Sequence, residues 1–153
     1  MNARSRTNQL LYQAELLATL EAGEDEHAPA RQMALEEGAL TLFELALESL
    51  LREVTEHARL SEHRWRVLLS QQGPSLAELQ RLRDLQAQPE SWLNWLTGQL
   101  ERLHSDDGAA RRTVQNPAMI AVSNQTGLRQ QVLANLQAAK REIGALRETS
   151  LEW

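Results

Sequence analysis

The stretch MALEEGALTLFELALESLLREV, residues Met33 to Val54, places thirteen apolar residues in twenty-two positions, with no proline and one glycine, Gly38. Leu35, Ala39, Leu42, Phe43, Ala46 and Leu50 recur at helical spacing, and Leu40, Leu47, Leu51 and Val54 form a second stripe beside them. Glu37, Thr41, Glu44, Glu48 and Arg52 keep a narrow polar strip on the remaining face. A helix that is apolar around most of its circumference has to be wrapped by other helices. This one is read as the central post of a bundle, and the fold class as all-α.

The four prolines fall where the helical pattern breaks, so the segments on either side are readable. A first helix is expected over about 7–22, burying Leu10, Ala14, Leu17 and Leu20 and stopping at Gly23. The central helix is expected over about 30–58, with Pro29 in its first turn. Three short helices follow, at about 62–72, 76–87 and 90–104. The second of these opens on a Ser75/Glu78 capping box, and the third turns Trp92, Leu93, Leu96 and Leu100 inward. Residues 109–124 are not periodic but are too apolar for a free linker, and read as an irregular packed segment. A last helix over about 126–148 repeats Leu128, Val132, Leu136, Ala139, Ile143 and Leu146 at three-four spacing. No window alternates with period two and no repeat is present. The expectation is a single domain over 1–153, in which the three short helices form an antiparallel flap against the long ones.

At 153 residues the chain suits one domain. Six aromatics, four of them Trp, leave the core to Leu and Ala. The absence of cysteine removes disulfides, zinc–thiolate sites and thiol catalysis together. The opening MNARSRTNQ lacks the apolar centre of a signal peptide, and no apolar run reaches the length of a membrane span, so a cytoplasmic bacterial protein is expected. A net charge of −5 disfavours a general nucleic-acid binder, because phosphate contacts dominate that affinity. Fifteen arginines against one lysine point to a GC-rich genome rather than to selection for phosphate binding. No glycine-rich phosphate loop, serine nucleophile elbow or dinucleotide fingerprint is present, and no cofactor is expected.

Three constellations can be weighed as sites. Glu37, Glu44 and Glu48 share one strip of the central helix, and two Glu-x-x-His pairs occur, Glu24–His27 and Glu101–His104. A carboxylate metal site needs such groups to face one another inside the bundle. Glu24–His27 falls in an acidic loop, and Glu101–His104 lies with Thr97 on the face away from Leu93, Leu96 and Leu100, so solvated helix surface is the better reading. Arg111 and Arg112, with Asn116 and Asn124, have the chemistry to hold a small anion, but a solvated loop is the better reading. Trp65, Trp92 and Trp95 serve as core anchors or line a groove. Residues three apart diverge by about 60° on a helix, so one of Trp92 and Trp95 should point inward and the other lie at the boundary. Trp153 has no local reason for burial unless it docks on this subunit or on a neighbour.

Arg52 and His57 give an Arg-x-x-x-x-His spacing that resembles the signature of HEPN helical-bundle ribonucleases. That resemblance implies an Arg and a His converging on a scissile phosphate across two protomers. It covers six residues, and Glu53 stands where the pattern carries a small polar residue or His. Residues five apart sit about 140° round a helix, so both side chains reach one substrate only if the helix ends between them. Otherwise Arg52 pairs with Glu48 or Glu56, and His57 terminates the helix. Over nearly the whole chain, Arg6-Thr7-Asn8-Gln9-Leu10-Leu11-Tyr12 and the central stretch resemble an uncharacterised family of small helical proteins from gammaproteobacteria. That resemblance implies a helical fold and no assigned activity. The leading expectation is a non-enzymatic bundle that binds an unknown protein partner, possibly itself as a homodimer through the seam of the last helix. The alternatives are a HEPN-like ribonuclease or toxin-type enzyme using Arg52 and His57 and, third, a carboxylate metal-binding bundle.

Overall fold

The computed structural model describes residues 1–110 and 127–150, and among these every regular element is helical. The helices are α1 (Ala3–Thr19), α2 (Ala28–Val54), α3 (Trp65–Leu68), α4 (Ala77–Ala87), α5 (Trp92–Leu103) and α6 (Leu128–Ser150). A single 3-10 turn, Glu56–Ala58, follows α2. The packed segment expected over 109–124 lies outside the described residues except for Ala109 and Ala110, which are buried. Trp153 and the Arg111/Arg112 cluster also lie outside them.

α2 touches each of the other five helices. Ala39, Leu40, Phe43, Ala46, Leu47, Leu50 and Leu51 are all buried on it, the arrangement its double stripe predicts. Each such leucine contributes roughly 1.5–3 kcal/mol through burial. α1 runs antiparallel to α2, as two contacts show. Thr7 Oγ1 lies 2.8 Å from Ser49 Oγ, and a Cβ on Gly38 would stand 3.1 Å from Leu17 Cδ1. α6 packs on α1, α2 and α5. Its seam of Val132, Leu136, Ala139, Ile143 and Leu146 is buried within the chain. The apolar stripe that suggested a dimer is thus consumed by intramolecular packing.

The helix ends differ from expectation for local reasons. α1 begins at Ala3 because the Asn2 side chain accepts from the Ser5 N–H at 2.8 Å. It stops at Thr19 because Arg129 of α6 reaches across to the carbonyls of Ala18 and Thr19, at 2.6 and 2.9 Å. Leu20 then turns into extended backbone and is 52% exposed, against the expectation that it is buried. α2 ends at Val54, where Thr55 bonds back to the Leu51 carbonyl through both its N–H (3.1 Å) and its hydroxyl (2.6 Å). α3 is far shorter than 62–72. Glu62 folds back on Arg64, and Arg83 holds the carbonyls of Leu68 and Pro74, which stops the helix. No capping box forms at Ser75; α4 opens after Leu76 without a side-chain cap.

α5 is capped by Ser91, whose hydroxyl accepts from the Asn94 N–H at 3.0 Å. It is more than an outer flap, because it packs against α2, α4 and α6 together. Thr97, expected to face outward, is buried and bonds to the Leu93 carbonyl. Trp92 is buried and stacks on Phe43 with centroids 6.1 Å apart, while Trp95 is half-buried and tilts against the same ring.

Candidate functional site

The polar strip of α2 faces α3 and the end of α5, and each of its carboxylates already has a partner. Glu44 accepts from the Trp65 indole N–H at 2.8 Å, and its two oxygens lie 2.9 and 3.0 Å from His104 Nε2. Glu48 accepts from the Trp65 backbone N–H at 3.1 Å. Burial raises the Glu48 carboxyl above its ordinary value; the Trp65 N–H opposes the shift and the Glu44 charge reinforces it. Glu37 accepts from the Ala110 N–H at 3.3 Å.

The Glu44–His104 contact corrects the expectation that the Glu101–His104 pair turns away from the carboxylates of α2. His104 is the residue that ends α5, and this end of α5 lies beside α2. A position that is outward by helical periodicity can still meet the edge of a neighbouring helix. Glu101 is held by Arg66, whose guanidinium also lies 4.6 Å over the Trp65 ring. Glu24–His27 sits in the exposed connection before α2, where His27 is 3.4 Å from Glu26. Among the described residues no three His, Asp or Glu side chains converge on a point that would hold a metal ion.

Arg52 and His57 are both exposed. Arg52 lies in the last turn of α2 and His57 in the 3-10 turn beyond it, so the helix does end between them. His57 Nε2 is 3.9 Å from Glu78, and Arg52 acts on the Glu48 carboxylate through its charge. Glu53, which departs from the ribonuclease pattern, is turned inward to Arg147 at 2.6 and 3.0 Å.

Sequence reasoning missed the arginines that work inside the fold. Arg83 is 5% exposed and bonds only to backbone carbonyls, while Arg81, two residues earlier, faces outward to Thr149. Nothing in a local charge pattern distinguishes these two. The divergence of residues two apart on a helix was the one available hint.

Two surface features remain. A cleft of about 310 Å³ opens between α4, Trp92 and α6, with Leu82, Leu85, Ile143 and Leu146 in its walls. Tyr12 and Leu16 on the outer side of α1, and Leu20 just beyond its end, are 58, 45 and 52% exposed. Over residues 1–153 the chain matches the model of a family of unknown function, DUF6586. It belongs to that family. No curated protein and no solved structure matches the chain. The match of this DUF6586 chain covers residues 1–153, in keeping with the resemblance, over nearly the whole chain, to a small helical family with no assigned activity. Among the described residues of the DUF6586 chain, no helix is long and apolar enough to cross a membrane.

Proposed function

We propose that the protein acts without catalysis, in the bacterial cytoplasm, by binding another protein through the outer face of α1. The observation that carries this reading is the exposed row of Tyr12, Leu16 and Leu20. A tyrosine at one end of an exposed apolar row supplies large contact area at low conformational cost, and aromatic residues are enriched at interfaces. The acid and base candidates support the same reading from the other side. Glu37, Glu44 and Glu48 each hold a backbone or indole N–H in place, a structural use of the groups that a hydrolytic or metal site would need.

The test is photo-crosslinking in living cells, with a benzophenone side chain placed at Tyr12 or, as the control, at the exposed Arg141 of α6. A discrete adduct is expected from the first position and none from the second. It should vanish when Leu16→Glu is added. Absence of any adduct at Tyr12, or one that survives Leu16→Glu, overturns the reading.

A further inference from the structure

We propose that the cleft between α4 and α6 binds a small amphiphilic amine, its short chain or single ring inside and its protonated amino group at the rim. α1 contributes nothing to this cleft, so the site is independent of what binds the outer face of α1.

The cleft exists because α4 and α6 are held by other helices rather than by each other. α4 packs on α2 and α5, and α6 packs on α1, α2 and α5. Across the gap, Arg81 of α4 donates to the Thr149 hydroxyl of α6 at 2.8 Å. Trp92, at the start of α5, donates its indole N–H to Glu142 of α6 at 2.8 Å. Glu142 and Thr149 stand seven residues apart on one helix, so the two bonds lie about 10 Å from each other and close off the gap at either end. Between them Leu82, Leu85, Ile143 and Leu146 give the space apolar walls. Its volume of about 310 Å³ lies at the small end of clefts that hold organic molecules, roughly 300–1,000 Å³. A single ring or a short alkyl chain suits that size.

Charge selects the occupant. Arg81, Asp84 and Glu142 are the charged side chains of the lining. Arg81 is drawn to Thr149 at one end. The two carboxylates stand on opposite walls, and neither has an ion-pair partner among the described residues. Asp84 accepts the Gln80 amide N–H at 2.9 Å, and Glu142 Oε2 accepts the Trp92 indole N–H. That indole bond fixes the Glu142 carboxylate and leaves Oε1 open to a further donor. An ammonium group offers three donors and no acceptor, so it satisfies such oxygens directly. An anionic ligand would meet two like charges against one guanidinium, on a chain of net charge −5. The apolar walls take the body of the ligand out of water, while its charged head stays at the wet rim, as the long basic side chains of proteins do.

Hexylamine, hexanol and hexanoate carry one chain under a positive, a neutral and a negative head, and they are the probes. NMR of the Trp92 indole N–H and the Ile143 methyl groups reads binding in the intact chain. Up to about 10 mM, hexylamine should give saturable shifts about tenfold tighter than hexanol, and hexanoate should give none. Glu142→Gln keeps an acceptor for the indole N–H and should lose most of the preference for the amine, and Asp84→Asn part of it. Glu148→Gln removes an exposed acid of α6 outside the cleft and should keep the preference. Ala145→Trp fills the cleft from an exposed position and should abolish binding of every probe. All four positions are exposed, so the variants should melt with the parent. The proposal is overturned if no probe gives a saturable shift, or if hexanoate binds as tightly as hexylamine. It is overturned equally by a preference unchanged in both Glu142→Gln and Asp84→Asn, or by binding that survives Ala145→Trp.

Discussion

Arg147 of α6 grips Glu53 of α2 through two N–H donors, at 2.6 and 3.0 Å, with both side chains 14% exposed. The same guanidinium donates to Asn8 of α1 at 2.9 Å, so one side chain ties three helices together at the end of the bundle where α2 closes. Removing one partner of a pair this sheltered leaves the other charge poorly solvated. Arg147→Ala is expected to cost about 3 kcal/mol by denaturant unfolding. Arg64→Ala, which breaks the exposed Glu62 pair, should leave the unfolding midpoint where it is. Equal losses in the two variants would refute this ranking.

Glu48 carries a pH signature. Burial holds its folded-state carboxyl above the ordinary value of 4.5, so the folded chain binds this proton more tightly than the unfolded one does. The group's contribution to stability is complete below 4.5 and is lost as pH rises through the folded value. Glu48→Gln removes that loss and keeps an oxygen for the Trp65 N–H. The variant should be at least as stable as the parent at neutral pH and show a flatter stability profile between 4.5 and neutrality. A variant clearly less stable at neutral pH would show that the ionised carboxylate is needed there.

Three glycines should respond in opposite directions. A Cβ at Gly73 would stand 2.5 Å from Arg83 Nη2 and within 2.9 Å of the Leu68 and Val67 carbonyl oxygens. Arg83 is fixed by its three carbonyl bonds and the other two atoms are backbone, so little can yield. Gly73→Ala is expected to cost about 2 kcal/mol. Gly98 and Gly144 sit within α5 and α6, with nothing within 4 Å of an added Cβ. Alanine at either position should raise stability by about 0.5–1 kcal/mol. Thermal melts of the three variants decide the matter, and the prediction fails if Gly73→Ala melts with the other two.

Purified protein is expected to leave single-stranded and transfer RNA intact over hours. Arg52 sits one turn from Glu48 on α2, in a chain of net charge −5. Such a setting repels a phosphate backbone, most strongly at low salt. Arg52→Ala should shift stability only slightly, as exposed charges do. RNA cleavage that disappears in both Arg52→Ala and His57→Ala, with both variants still folded, would promote the ribonuclease reading.

The candidate site was legible only where a residue's own helix decides its surroundings. The strip of Glu37, Glu44 and Glu48 follows directly from spacing on α2. Its partners do not, because Trp65 and His104 arrive from other elements, 21 and 60 residues away from Glu44 along the chain. His104 was misplaced for that reason. Its face on α5 was readable, but the approach of α2 to that face was not. Leu20 was misplaced because the signal that ends α1 is a guanidinium 109 residues further on.

What the sequence determined by itself was the helical class and the burial of the central post. Both rest on the period of apolar residues within one segment, and an α-helix converts that period directly into a face. The tertiary structure decided which polar groups meet, which arginine of a pair goes inside, and which apolar stripe is left over. α6 offered the longer and more regular seam, yet packing against α1, α2 and α5 consumes it. Tyr12 and Leu16 of α1 stay largely in solvent instead. The physical reason is competition: several apolar stripes seek a limited set of helix surfaces, and only the assembled bundle determines which one lacks a partner.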